Sequence, residues 1–408
     1  MTTSAPGAGL GSRLRAIDRQ LKIVFGAVLL LGTAYGATTS VLAIHLDARS
    51  IGKTAIGGLA TFFAGGIAAM SLPAGWLVRK AGARTVLLGA LAVYLACVLV
   101  FPHLSTFGPI AASRLFDGAA SVCVWVACET ILLARASDRD KAFVTSLYAM
   151  CFGVGYVIGP LVAKPIVALT HSTTLAFRAA AVLAVLALLV ASRVSPVAAA
   201  EAHGAEGGSG KSALSILWRI KNSCFATFGY GYFQASVVLF LPIYLKDSKG
   251  VSESDTVLVT AFFAAGMLLF SAQAGRLGDR LGHLAVMRAL ALVGLVMIAS
   301  FVWLDSFWIM CVAVFVAGAT LASISPVSLA LQGHVVDKAD LARANAIYNV
   351  FYAGGMLIGP PLSSVLFDWR GGPAMLYHLA GLWAAFAAFT AVFRRDDPRL
   401  AARSPSAS

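Results

Sequence analysis

The sequence predicts an all-α polytopic membrane protein: twelve transmembrane helices in two pseudo-symmetric six-helix bundles. Three observations carry this. The 408 residues are 59% hydrophobic and only 12% charged, with a mean hydropathy of +0.84. Soluble domains hold about 45–50% apolar and about 25% charged residues, so the surplus must face something other than water. Apolar runs such as Ile23–Ile44 and Ala179–Ala191 recur along the chain, and about 20 such residues cross a hydrocarbon layer roughly 30 Å thick. Finally, the two halves repeat at one constant register.

The spans fall at residues 22–45, 54–78, 84–103, 107–134, 142–168 and 174–194, then at 222–245, 255–275, 284–304, 307–332, 342–366 and 374–393. This divides the chain into a tail (1–21), a first bundle (22–194), a linker (195–221), a second bundle (222–394) and a second tail (395–408). The basic start before an apolar stretch resembles a signal peptide. That stretch is long enough to span, and cleaving it would destroy the repeat, so it reads as a retained first helix. Ser195–Ser212 is Gly-, Ala- and Ser-rich, without apolar periodicity. After it, Leu214, Leu217 and Trp218 alternate with Arg219 and Lys221, the pattern of a short interfacial helix.

The net charge of +13 is segregated. Arg13, Arg15 and Arg19, then Arg79, Lys80 and Arg84, then Arg135, Arg139 and Lys141, then Lys211, Arg219 and Lys221 occupy alternate connections. Arg276, Arg280 and Arg288 follow, and then Arg394, Arg395, Arg399 and Arg403. The intervening connections carry fewer basic residues. Because Lys and Arg resist translocation, the basic connections and both termini are expected on the cytoplasmic side. A nucleic-acid surface would need these residues gathered on one face with aromatics between them, so no nucleic-acid partner is expected. The six cysteines lie in or beside apolar spans without zinc spacing, and the seven histidines sit mainly in loops or at span ends. No metal, cofactor or catalytic residue is expected.

The register of the repeat is a shift of 200 residues. Gly75 to Gly82 (GWLVRKAG) matches Gly275 to Gly282 (GRLGDRLG), and Phe62-Phe63-Ala64 matches Phe262-Phe263-Ala264. Gly118 matches Gly318, and Gly155-x-x-x-Gly159-Pro160 matches Gly355-x-x-x-Gly359-Pro360. Parallel repeats of this kind place a substrate site where the halves meet.

Gly275-x-x-x-Asp279-Arg280-x-Gly282 resembles the signature loop of the major facilitator superfamily. Arg114-x-x-Asp117-Gly118, the halves and the central linker are similar to that family over residues 22–394. The resemblance implies bundles that rock about a central site lined by helices one, four, seven and ten. It also implies a cytoplasmic latch through the acidic residue of the loop, here Asp279. The first copy departs from the pattern, with Arg79 in place of the acid. Arg79-Lys80 with Trp125-x-x-x-Glu129 is most similar to the YcaD-like branch of the superfamily.

Helix four carries the candidate chemistry. Arg114, Asp117 and Glu129 lie inside an apolar span, where each ionisable group costs about 2.5–3.5 kcal/mol on insertion scales and points to function. Arg114, Gly118, Ser121, Trp125 and Glu129 share one stripe at about 100° per residue, and Asp117 is close enough to pair with Arg114. A purely structural pair, with Glu129 snorkelling to the edge, is the alternative reading. Val314 and Leu329 stand at the matching positions of the second half, so the ionic groups belong to one half. A desolvated Glu129 would load and release a proton as the cavity switches sides.

Tyr35, Thr38, Thr39, Tyr230 and Gln234 are candidates to line the cavity, as is the stripe Asn345, Tyr348, Asn349 and Tyr352 on helix eleven; helix–helix hydrogen bonding is the alternative. The Gly-x-x-x-Gly-Pro pairs on helices five and eleven permit close backbone approach and a kink. They resemble part of the family's antiporter motif, without its further glycines. The expected function is a monomeric secondary transporter in a bacterial inner membrane, moving a small amphipathic or anionic solute with protons. The nearest approach to a nucleotide-binding loop, Gly210-Lys211-Ser212, has Ala205 where its first glycine belongs, so ATP is not the expected energy source. A transporter-like sensor or scaffold keeps the same helices and stays an alternative. A membrane-embedded enzyme is the remoter one, because no catalytic motif matches.

Overall fold

The computed structural model describes residues 17–137, 140–196, 212–337 and 340–397. The tails, most of the linker, and Arg13, Arg15, Arg139, Lys211, Arg399 and Arg403 lie outside the described residues.

Among the described residues, twelve helices are long and apolar enough to cross a membrane. In the first half they are α1 (Arg19–Asp47), α2 (Lys53–Ala81), α3 (Ala83–Val100), α4 (Phe107–Arg135), α5 (Lys141–Thr170) and α6 (Thr173–Ala191). In the second they are α7 (Lys221–Lys249), α8 (Leu258–Leu281), α9 (His283–Ser300), α10 (Phe307–Val335), α11 (Leu341–Arg370) and α12 (Gly372–Val392). A short helix, Ala213–Arg219, precedes α7; it buries Ile216 and leaves Leu214 and Trp218 exposed. In lipid a backbone finds no water to bond, so every spanning segment closes its own hydrogen bonds as a helix. The 29 residues of α1 reach about 43 Å at 1.5 Å per residue, whereas α3 and α9 have only 18 each. α1 and α7 are the most enclosed helices of their halves.

Helix association in lipid lacks a hydrophobic drive and depends on close van der Waals contact, which small residues permit. A Cβ added at Gly66 would strike the Leu115 carbonyl, and one at Gly118 the Phe63 carbonyl, so α2 and α4 cross backbone to backbone. Gly266 and Gly318 repeat this between α8 and α10, against Phe315 and Phe263. Likewise Gly32, Gly36, Gly155 and Gly159 seat α1 on α5, and Gly231, Gly355 and Gly359 seat α7 on α11. The Gly-x-x-x-Gly-Pro motifs thus serve backbone contact, and both helices run unbroken through Pro160 and Pro360. A basic residue closes each half at matched positions. Arg49 donates to the carbonyls of Pro102 and Leu104, and Lys249 to that of Val302 at 2.8 Å.

The signature segments differ from a loop. Gly75–Ala81 and Gly275–Leu281 are the last turns of α2 and α8, and the reversal is a single residue in each case. Gly82 at φ +82° and Gly282 at φ +102° make it, a conformation only glycine adopts without strain.

The halves meet through α2 against α11, α5 against α8, and α1 against α7. At one end, ion pairs cross between them: Lys53–Asp247 at 2.9 Å, Lys164–Asp255 at 2.9 Å and Lys246–Asp47 at 3.1 Å. Thr54 donates to Asp368 there from its backbone N–H (3.0 Å) and its hydroxyl (2.5 Å). Exposure along the helices reverses toward the other end. On α11, Pro360, Ser363 and Ser364 are buried, while Asn345, Ala346, Asn349 and Val350 are exposed. On α2, Ile56, Gly57 and Leu59 are buried, while Ala68, Ala69, Ser71, Leu72 and Pro73 are exposed. The halves are therefore sealed together at the Lys53 end and parted at the Gly82 end.

Gly118→Val and Gly318→Val are expected to lower unfolding stability in detergent by roughly 1–3 kcal/mol each through overpacking. Gly89→Val, whose added atoms meet nothing within 4 Å, should be near neutral in the same thermal assay.

Candidate functional site

On α4, Arg114 and Asp117 are three residues apart and therefore adjacent on the helix surface. Arg114 Nη1 donates to Asp117 Oδ2 at 2.5 Å, with the side chains only 15% and 12% exposed. The guanidinium also lies 4.4 Å from the centre of the Phe63 ring of α2, an attraction of about 0.5–2 kcal/mol when desolvated. Burying two charges is costly and is offset only by close pairing and further hydrogen bonds. Here the pairing is close, but Arg114 Nε, Asp117 Oδ1 and Ser113 Oγ are buried without a hydrogen-bond partner. The pair is held, not saturated.

It sits in a crevice within the first half, walled by Tyr35, Thr38 and Thr39 of α1, Cys97 and Val98 of α3, and Phe177 of α6. The open space is about 20 Å³, room for about one water. The second half has the same crevice in the same place. Its lining is Phe233, Val237, Phe263, Met297, Ile298, Ala313, Val314, Ala317 and their neighbours. At the shift of 200, Val314 replaces Arg114, Ala317 replaces Asp117 and Met297 replaces Cys97. The duplicated cavity is ionic in one half and wholly apolar in the other.

The α4 stripe is shared among several neighbours. Gly118 meets α2. Ser121 and Trp125 border a second crevice with Tyr35, Tyr94 and Phe152, and the Ser121 hydroxyl donates to the Asp117 carbonyl at 2.9 Å. Glu129 is exposed toward the parted end. Tyr35 stands at the centre of an aromatic cluster, with ring centres 6.1–6.3 Å from Phe63, Tyr94, Phe152 and Tyr156. Thr38 is buried and donates to the carbonyl of Tyr35 at 3.0 Å.

In the second half the polar candidates join helices. Tyr352 of α11 donates to Gln234 of α7 at 3.2 Å and stacks on Tyr230, ring centres 6.0 Å apart. The Tyr348 hydroxyl lies 2.9 Å from that of Ser325 and 3.0 Å from that of Ser328, both on α10. Gln332 donates to Asn345 at 2.5 Å. Asn349 alone of that stripe is exposed without such a bond being described. The sequence reading missed His378, which lies inside α12 and not at a span end: Nε2 is 3.0 Å from the Tyr232 hydroxyl and Nδ1 2.6 Å from the Met375 carbonyl. Its signal was an ionisable residue six positions into an apolar span.

In the signature segments, Arg79 and Lys80 are exposed, and the Lys80 ammonium lies 4.8 Å over the Trp76 ring. Asp279 is exposed and stands 3.3 Å from Nε2 of His283 in its own half. Gly75 and Gly275 are half-buried within their helices.

Removing Arg114 alone strands a carboxylate in this crevice, at a cost of about 3–5 kcal/mol. Arg114→Val is therefore expected to destabilise the protein strongly. The double variant Arg114→Val/Asp117→Ala reproduces the lining of the second half and should recover most of the loss in a thermal-unfolding cycle.

Comparison with known proteins agrees with this architecture. Residues 24–222 and 223–408 each match the sequence profile of the Major Facilitator Superfamily. The MFS-type transporter YcaD of Escherichia fergusonii is 23% identical over 351 residues, covering 85% of this chain and 89% of that one. YcaD of Salmonella arizonae is 24% identical over 352 residues, with the same coverage. Among solved structures, a bacterial homolog of the human lysosomal transporter Spinster, in an inward-facing and occupied conformation, superposes with a TM-score of 0.78 at 13% identity over 98% of this chain and all of that one. The nucleoside transporter NupG gives 0.72 at 14% identity, over 92% of this chain and 97% of that one. With both halves matched and twelve spanning helices in the same arrangement, the chain belongs to the major facilitator superfamily and is a multi-pass membrane transporter.

Proposed function

We propose that the chain moves a small amphipathic or anionic solute by alternating access, coupled to protons, as the first bundle (residues 22–194) rocks against the second (222–394). The observation that carries this is the opposition of the two ends: cross-half ion pairs at the Lys53 end, and exposed inner-helix residues at the Gly82 end. Basic connections crowd the Gly82 end, and the preference of Lys and Arg for the cytoplasmic face makes this an inward-open form with both termini cytoplasmic. The Escherichia and Salmonella relatives favour a bacterial inner membrane.

The outer seal has the strength a gate needs. Its ion pairs are roughly a fifth to two-fifths exposed, and pairs of that kind contribute about 0.2–1 kcal/mol each. Three together stay below the roughly 5.5 kcal/mol that moves a two-state equilibrium from 1:99 to 99:1, so solute binding is able to open them. When the cytoplasmic side closes, Asp279 becomes the latch that the family pattern assigns to it.

Coupling falls to α4. Arg114 is the anchor for an anionic group, with Asp117 as its resident counter-charge. Glu129, facing the parted end, exchanges protons with the cytoplasm. Trp125 and the Tyr35 cluster supply an apolar wall, and Gln234 and Asn349 offer hydrogen bonds from the facing half.

Counterflow of labelled solutes into proteoliposomes tests the reading. The wild type should exchange at least one amphipathic or anionic solute of a broad panel, whereas a sensor or scaffold would show no exchange with any. Arg114→Val/Asp117→Ala should fold and lose exchange. Glu129→Gln should keep exchange and lose its acceleration by an imposed pH gradient; retention of the wild-type pH response would remove Glu129 from the coupling path. Asp47→Asn/Asp255→Asn removes two of the cross-half pairs. Thr61 of α2 donates to the Leu357 carbonyl of α11 at 3.3 Å, below the seal; in a background without the native cysteines, this variant should increase labelling of a Thr61→Cys reporter from outside by several-fold.

A further inference from the structure

At the Gly82 end of the second half, three metal-binding side chains converge, of which the transport reading uses Asp279 alone. Asp279 lies in the last turn of α8, His283 is the first residue of α9, and His334 lies in the last turn of α10. One ligand atom from each falls within 4.8 Å of the others, and the two imidazole rings meet edge to face with centres 5.1 Å apart. The single-residue turn at Gly282 produces this meeting, because it folds α9 back so that residues 279 and 283 face one another.

His283 is the telling member. It is 3% exposed, with its ring set beside Gly278, where a Cβ would meet it at 3.2 Å. Its buried Nε2 stands 3.3 Å from Asp279 Oδ1 yet makes no hydrogen bond. A buried imidazole nitrogen whose one polar neighbour lies outside hydrogen-bond geometry is poorly satisfied, and a ligand that takes its lone pair relieves that cost. Asp397 stands close behind, accepting from the Leu284 N–H at 3.1 Å, so two carboxylates flank the imidazoles and offset a double positive charge. The first half has no counterpart: Arg79, Ala83 and Ala134 occupy the matching positions. The cluster is therefore not a by-product of the duplicated fold.

We propose that Asp279, His283 and His334 bind a transition-metal dication of the zinc type, with water completing the shell. Two imidazoles and one carboxylate suit zinc, cobalt or nickel and disfavour magnesium and calcium, which prefer all-oxygen shells. Ligand atoms of a tetrahedral zinc stand about 3.4 Å apart, from bonds of about 2.1 Å. The present spread of up to 4.8 Å closes to that by about 1.4 Å of side-chain movement, which exposed His334 and Asp279 have room to make. A bound ion staples the α8–α9 turn to the end of α10 and occupies the carboxylate of the signature segment. Binding itself does not depend on the transport mechanism.

The test is equilibrium zinc binding to the full chain, purified in detergent with any affinity tag removed and measured against a chromophoric chelator. The wild type should bind one zinc per chain, uncompeted by millimolar magnesium, and bound cobalt should give the visible spectrum of a low-coordinate site. His334→Ala and Asp279→Asn change exposed positions and keep the fold. Each should weaken binding by at least the roughly 10-fold seen when even an outer-shell partner is lost. His283→Asn should abolish it. Wild-type protein that binds no zinc, or an unchanged affinity in both His334→Ala and Asp279→Asn, overturns the proposal.

Discussion

The structure depends on backbone-to-backbone contact between membrane helices, made where glycine removes the side chain. Water drives the collapse of a soluble core, but lipid offers apolar helices no such reason to associate. What remains is dispersion, which fades quickly with distance. Gly66 on the Leu115 carbonyl, Gly118 on Phe63, and Gly155 and Gly159 on α1 bring helices to the shortest separation their backbones allow. The same contacts recur with Gly266, Gly318, Gly355 and Gly359 in the second half. Each half is thereby tightly knit. On the proposed alternating-access reading, such halves move as units, and a few weak ion pairs at one end decide which face is open.

On this symmetric frame the charge is placed asymmetrically. Both halves preserve the crevice among the first, third, fourth and sixth of their helices, and only the first fills it with Arg114 and Asp117. The apolar copy shows that the frame does not require the charges. An ion pair that the matching crevice does without, kept where burial is expensive, is a candidate for function. Arg114 Nε and Asp117 Oδ1 are buried without a hydrogen-bond partner, which leaves the pair polar capacity to spare.

The two ends of the molecule are asymmetric in another way. The seal at the Lys53 end is made from partly exposed lysine–carboxylate pairs and a threonine–aspartate contact, each individually weak. At the opposite end the first half carries Arg79 and Ala83 where the second carries Asp279 and His283. The two signature segments share a glycine turn and differ in chemistry, so the second half alone gathers acid and imidazole.

The sequence by itself determined what composition and repetition encode. Twelve spans were legible within a few residues because apolar length is a local property. The pseudo-twofold was legible because Gly, Phe-Phe-Ala and Gly-Pro positions recur at one shift, and the Arg114–Asp117 pair because three residues along a helix are neighbours in space. Tertiary structure decided which face each residue meets. It put Arg114 in a crevice inside one half, turned the signature segments into helix ends reversed by a single glycine, and paired Asn345 and Tyr348 with α10 while Tyr352 met α7. It also gathered His283 and His334, fifty-one residues apart, beside Asp279. Such contacts depend on how helices cross, and crossing is set by the shape of both partners at once, which no single stretch of chain contains.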